Sequence, residues 1–357
     1  MLRYVLHKLG YSFLVLLGVA SVVFLLFNLL PGDPSRMMLD QREDSEQLAR
    51  VRARYGFDKP LSIQYLLYLN DLSPLSIHRR AEEAFTRPDK YPQPKTNIAE
   101  TNRYILLLKT PYLRDSFRNR GKLVSEIIAE TLPNTVILAS ASIVIAMLLG
   151  LSLGTVAALN RNSFIDRFIT VTGTLGMSVP SFFAAILMAW VFGFLLSEYT
   201  GLDMTGSLYE VDDYGEGRYL QWSNLILPAL TLGIRPLGVI IQLTRGSLLE
   251  EINQDYFRTA LARGLPRGKA VRKHALRNAL NPVVTAASGW FASMLAGAVF
   301  VEYIFGWNGL GKQIVESLNQ LDLPVVMGAV LTIAATFVLL NFLVDLLYAW
   351  LDPRVRI

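Results

Sequence analysis

The sequence contains no cysteine. That absence excludes disulfides, a thiolate nucleophile and any cysteine-ligated metal. Histidine is nearly as scarce. His7, His78 and His274 stand far apart, without the spacing of a metal site. Charge is thin too: 18% of the 357 residues are Asp, Glu, Lys or Arg, against about a quarter in an ordinary soluble chain. The long segment 31–132 holds nothing that resembles a catalytic triad, paired acid/base carboxylates or a dinucleotide fingerprint.

What the chain has instead is apolar length. Hydrophobic residues make up 52% and the mean hydropathy is +0.36. A hydrocarbon core about 30 Å thick takes about 20 apolar residues as a helix. Six stretches approach or exceed that length: Leu9–Leu30, Asn134–Leu159, Phe168–Leu196, Leu225–Leu243, Val283–Phe300 and Val325–Trp350. The fourth and fifth are short, and Arg235-Pro236 interrupts the fourth. The first is longer than the ~7–15 apolar residues of a signal peptide and is read as a retained helix. An all-α membrane protein with six transmembrane helices is therefore expected.

Lys and Arg in the short loops set the orientation. One side carries Arg3, Lys8, Arg161, Arg167, Arg245, Arg258, Arg263, Arg267, Lys269, Arg272, Lys273, Arg277, Arg354 and Arg356. The other carries Arg218 and Lys312. The first side is read as cytoplasmic, with both termini inside and the long segment 31–132 outside. With that sidedness, the net charge of +5 reflects membrane topology rather than nucleic acid.

Orientation also disposes of a decoy. GWNGLGKQ, residues 306–313, reads G-x-x-x-x-G-K like a phosphate-binding P-loop. Lys312, however, falls in an external loop with no ATP pool, and Gln313 replaces the Mg²⁺-binding Ser/Thr. The glycines are read as turn-formers. Any use of ATP and Mg²⁺ belongs to another chain, and this one needs no cofactor of its own.

The most informative cytoplasmic segment is 249–281. Asp255 is placed to cap a short helix running from Tyr256 to about Arg263, with Gly264 as the left-handed residue that ends it. Pro266 opens a second helix to about Leu280, and Asn281-Pro282 discourages continuation into the fifth span. Tyr256, Thr259, Ala260 and Arg263 share a face. From physics alone, this basic hairpin either enters a partner's groove or lies on anionic headgroups.

The stretch Asp255-Tyr256-Phe257-Arg258-Thr259-Ala260-Leu261-Ala262-Arg263-Gly264-Leu265 resembles the "EAA" loop of bacterial ABC-importer permeases. Arg258-Thr259-Ala260 stands in place of E-A-A, and Gly264 stands at the glycine position. This departure, with the preceding Asp-Tyr, is similar to the B-type permeases of dipeptide/oligopeptide importers. LLPGDP after the first span, RYGFDKPLSIQY at 54–65, LPNT at 132–135 and HALRNALNPVVT at 274–285 agree. So do VEYIFGWNGLGKQIVESL at 301–318 and NFLVDLLYAWLDPRVR at 341–356.

The resemblance implies a type I ABC importer permease fold, with a large extracytoplasmic segment between helices 1 and 2 and an insertion at about 74–120. It implies a homologous second permease, two cytoplasmic ABC ATPases and an extracytoplasmic binding protein as partners. Asp255, Tyr256, Arg258, Thr259, Ala260, Arg263, Gly264 and Leu265 would form the ATPase-coupling loop. The inner-membrane lipid is the remaining partner. Peptides are the expected cargo. Nickel complexes, oligosaccharides or a self-sufficient secondary transporter are the alternatives.

Four further features stand out. Arg235, at membrane depth, either faces the pathway or pairs within the bundle. Gly150 and Gly154 form a G-x-x-x-G packing surface. Asp345 is read as pairing with cations such as Arg354. Ile314, Val315 and Leu318 on the amphipathic stretch 311–319 either gate the pore mouth or pack on the outer helix ends. Within the external segment, a helix is expected at about 45–54. Residues 74–120, including PDKYPQPK at 88–95, are expected as loop with one apolar patch at Tyr104–Leu108.

Overall fold

The apolar runs become helices. The computed structural model describes residues 2–29, 46, 49, 52–53, 56–79, 91–92, 95–119, 121–211 and 217–351. Most of the expected helix at 45–54, most of PDKYPQPK, and Arg354 as a partner for Asp345 lie outside the described residues. The chain divides into two units, Met1–Thr131 with Gln313–Val338 and Leu132–Lys312 with Leu339–Arg356.

In the first unit, α1 (Leu2–Leu29) is a continuous helix and α2 (Leu61–Leu72) is a shorter one packed against it. Then follow β1 (Leu75–Arg79), β2 (Lys95–Glu100) and β3 (Tyr104–Lys109). They form an antiparallel sheet in the order β1-β3-β2, with Leu75 opposite Leu108 and Arg79 opposite Tyr104. The helical class holds, but the expected loop at 74–120 contains this sheet. The supposed apolar patch is its central strand. Alternation divides that strand, so Leu107 is buried while Tyr104 and Leu108 are exposed.

Under the sheet, Asp71 is an ionic hub. It accepts from the Tyr91 hydroxyl at 2.8 Å and from Arg114 Nε at 3.2 Å. Burial, and then the Asp71 carboxylate, push the Tyr91 hydroxyl well above the ordinary tyrosine range. His78 is buried, bonded to Ser76 at 2.7 Å and set against the Tyr91 ring.

α3 (Val124–Leu159) begins in the first unit and continues in the second, where it leads to α4 (Phe164–Ser178) and α5 (Ser181–Met188), the latter continued by a π-helical stretch, Ala189–Leu195. The third apolar run is not straight: its second half is bent by 109° from its first. Pro180 is the cause, because it confines Val179 to extended backbone, φ −75° and ψ 128°. A short α6 (Ser197–Thr200) precedes the hairpin of β4 (Tyr209–Val211) and β5 (Arg218–Leu220).

The fourth run is longer than expected. α7 (Ser223–Ile252) continues through both Pro228 and Pro236. Pro236 is buried and does not break it, since membrane helices absorb a missing N–H where neighbours pack closely. α7 packs against α4 and the later helix of the fifth run. Apolar surface gives little drive between helices in lipid, so small residues set how closely backbones approach. A Cβ on Gly150 would lie 2.5 Å from Ile240 Cγ2, and one on Gly154 would lie 2.6 Å from Thr244 Cβ. The G-x-x-x-G surface is the seat of α7.

Next come α8 (Asp255–Ala262) and α9 (Arg267–Ala270), and a π-helical turn, Val271–Ala275, runs into α10 (Leu276–Gly297). The helix passes through Asn281-Pro282 without stopping, contrary to the expectation from local sequence. α11 (Val299–Phe305) turns 57° from α10, α12 (Leu310–Asn319) follows, and α13 (Leu323–Leu351) completes the described chain. Among the described residues, four helices are long and apolar enough to cross a membrane, and six spans result if each bent pair is one.

Candidate functional site

Polar groups concentrate in two places on the second unit. The first is the loop around α8. Gln254, not Asp255, occupies the N-cap position, in extended backbone without a side-chain cap bond. Asp255 is the first helical residue, where its carboxylate complements the positive helix end. Its side chain is fully open to solvent, and its 4.0 Å approach to Arg258 is loose.

The C-terminus is tightly specified. Gly264 has φ +83°, its N–H donates to Leu261 O at 2.9 Å, and the Leu265 N–H donates to Ala260 O at 3.2 Å. This pair of bonds ends the helix on a left-handed residue and turns the chain toward α9. The expectation for Gly264 matches the geometry.

One anchor was missing from the sequence reading. Phe257 is 2% exposed and packs with Leu248, Ala158, Val271, Ala275 and Ala279, with Leu265 alongside. Phe257 and the half-buried Ala260, at i and i+3, share the side turned toward the protein, whereas Leu261 is 37% exposed. Away from that side, Tyr256, Arg258, Thr259 and Arg263 are exposed. The Tyr256 hydroxyl donates to Glu251. Partial burial, then that bond, raises its pKa and keeps it a donor.

The loop is also braced from α4. Asp166 receives Arg245 Nε at 2.5 Å and Nη2 at 2.8 Å, and takes the Asn162 N–H at 2.9 Å. Such a two-pronged pair fixes geometry as well as charge. It ties the 160–166 turn to α7 just before α7 delivers α8. Arg267, Lys269, Arg272, Lys273 and Arg277 are exposed beyond it.

The second place is the decoy loop. Glu302 is fully buried, and its Oε2 accepts from the Gly311 N–H at 2.6 Å and the Lys312 N–H at 3.2 Å. A Cβ on Gly309 would collide with that carboxylate. Helix N-terminal amides do find an oxygen acceptor here, as in a phosphate loop, but the acceptor is the carboxyl of the chain's own glutamate. Lys312 Nζ is directed to Gly306 O at 3.2 Å and Asn308 Oδ1 at 2.9 Å. Trp307 is buried with Nε1 on Asn134 O at 3.0 Å, and Asn134 Nδ2 reaches Asn308 O at 2.7 Å. Only Gly306, φ +70°, acts as the turn-former expected of the glycines, whereas Gly309 makes room for Glu302 and Gly311 for the Val299 backbone and Glu302.

The remaining candidates are dispersed. Arg235 is exposed on α7, its guanidinium 5.9 Å from the Trp290 ring centre on α10. Ile314 is buried, Val315 half-buried and Leu318 44% exposed, so the three do not present one uniform apolar face.

Residues 150–357 match the family described as "Binding-protein-dependent transport system inner membrane component", and residues 1–83 match its N-terminal companion family. The chain is 33% identical to a putative peptide permease protein of Brucella suis biovar 1 (strain 1330) over the whole of both chains. It is 31% identical to the dipeptide transport system permease protein DppB of Alkalihalophilus pseudofirmus, again over all of both. The glutathione transport system permease protein GsiC of Salmonella typhimurium is 33% identical, over 100% of this chain and 99% of that one. Two crystal forms of the inward-facing MetNI methionine ABC transporter share the fold, at 16% and 17% identity and TM-scores of 0.50 and 0.51. Each match covers 64% of this chain and 97% of the other.

Proposed function

The chain belongs to the binding-protein-dependent transport inner-membrane family, and from that premise we propose that it forms half of the pathway of an ATP-driven importer of dipeptides or oligopeptides. The peptide assignment is supported by relatives named for peptides, dipeptides and glutathione. In this reading the chain does no covalent chemistry. A homologous permease completes the pathway, two cytoplasmic ATPases bind ATP and Mg²⁺, and a binding protein presents cargo at the outer face. Both termini lie in the cytoplasm.

The observation that carries the proposal is the division of α8 into an anchored side and an open side. Phe257 and the Gly264 turn hold the helix rigidly to α7 and α10, while Arg258, Thr259 and Arg263 face outward. A rigid helix gripped by an ATPase transmits closure to the spans as a shift between two populations of the permease. Asp255, Tyr256, Ala260 and Leu265 complete this coupling loop. Arg235 is assigned to the pathway, where it meets a peptide carboxylate, and Ile314, Val315 and Leu318 to the outer gate.

Proteoliposomes test this directly. With the second permease, the ATPases and a dipeptide-loaded binding protein, labelled dipeptide accumulates only when ATP is supplied. Accumulation by this chain without ATPases would establish a secondary transporter instead.

A further inference from the structure

The segment after α1 was read as external, yet α2 packs below the end of two spanning helices. We infer that α2, Leu61–Leu72, is seated in the lipid of the leaflet reached by the C-terminal end of α1.

Two rulers within the first unit give its depth. On α1, whose apolar span ends at Asn28, the Tyr65 hydroxyl bonds Ser21 Oγ at 2.5 Å, and Tyr65 and Tyr68 lie 5.2 and 5.4 Å from the Phe24 ring. At about 1.5 Å of rise per residue, Ser21 is about 10 Å inside the span. On α13, whose span begins at Leu323, the same cluster is met by Met327 and Leu331. Leu331 is about 12 Å inside by the same rise. The two helices place α2 at one depth independently.

Its surface chemistry agrees. Leu61, Ile63 and Leu66 are 53%, 40% and 65% exposed. α2 has no basic residue. Its one acid, Asp71, is buried on Tyr91 and Arg114. Gln64 is turned to Lys59 O at 2.8 Å and Asn70 to Ile77 O at 3.1 Å. Apart from Ser62 in the first turn, the outward face asks nothing of water. The Tyr68 hydroxyl points inward and is buried. Twelve residues are too few to cross, and an apolar helix of about 10–14 residues beside spans suits a segment that dips into one leaflet. Exposed apolar side chains at that depth meet acyl chains as the surrounding spans do.

The native chain lacks cysteine, so single nitroxide labels can be placed on the assembled transporter in phospholipid vesicles. Labels at Leu66→Cys and, separately, Leu61→Cys are compared with Phe13→Cys, an exposed position within the α1 span. Collision with dissolved oxygen exceeding collision with a water-soluble nickel chelate at Leu66 and Leu61, as at Phe13, is the expected result. Greater collision with the nickel chelate at both positions would overturn the inference. So would protection from both reagents, which would mean a protein partner covers the face. None of these outcomes depends on what the transporter carries or how it is coupled to ATP.

Discussion

Two helices of the second unit end on the same device and differ in everything that follows. α8 stops at Gly264, φ +83°, and α11 stops at Gly306, φ +70°. Beyond Gly306 the chain folds in on itself: Trp307 is buried, two amides bind Glu302, and Lys312 is directed to Gly306 and Asn308. A Cβ on Gly264 would meet nothing within 4 Å, and α8 is anchored by one buried ring, Phe257, while its outward face stays exposed. A loop that has satisfied its donors internally offers nothing to a ligand, however suggestive its letters. A loop anchored at its root by Phe257 that leaves Arg258, Thr259 and Arg263 exposed keeps a face open for the proposed ATPase contact.

The largest expected effect breaks the closed loop. Glu302→Ala strands the Gly311 and Lys312 amides in a buried site, at about 1–3 kcal/mol each. The folded protein recovered in detergent should fall sharply and its Tm drop by several degrees. Phe257→Ala attacks the open loop at its root. Losing a buried Phe costs about 3–5 kcal/mol, here spent on freeing α8 rather than on unfolding the spans. Co-purification of the ATPases should fall at least tenfold while membrane insertion, followed by immunoblot, stays normal.

Gly264→Val acts on geometry alone. A β-branched residue at φ +83° is strained, by about 1–2 kcal/mol or more, with no steric neighbour to blame. Transport should be lost with the chain still inserted, and wild-type dipeptide uptake by this variant would contradict the coupling assignment. Arg263→Glu is milder. Exposed ion pairs contribute about 0–1 kcal/mol, so ATPase affinity should fall less than about tenfold, and less still at high salt. Lys312→Met sharpens the comparison from the other side. ATP binding and hydrolysis by the assembled complex should not change, and Tm should fall only slightly.

Much of this was legible in the letters, where a residue's local chemistry decides its role. Gly264 followed from the end of a short amphipathic run, Gly150 and Gly154 from their spacing, and the spans from apolar length. What escaped depends on contacts far along the chain. Phe257 is an anchor because α3, α7 and α10 converge on it, and no pattern within 255–264 names those partners. Pro180 bends its helix while Pro236 and Pro282 do not, because packing decides whether a lost N–H is absorbed. The sheet was hidden because β3, YILLLK, is apolar on both faces and its two partners, β1 and β2, both precede it, with β1 separated from it by the whole of β2. Glu302 takes its role from a loop that closes over it, and no local pattern marks that acid.

The central claim is that a motor grips the open face of α8 from the cytosol. Thr259→Cys introduces the chain's single thiol on that face, and a short photoactivatable cross-linker attached to it reports the neighbour directly. In the assembled transporter the account predicts one dominant adduct, to the ATPase subunit, with a yield that changes when ATP is bound. Adducts to lipid alone, or labelling of that thiol from outside intact cells, would contradict it.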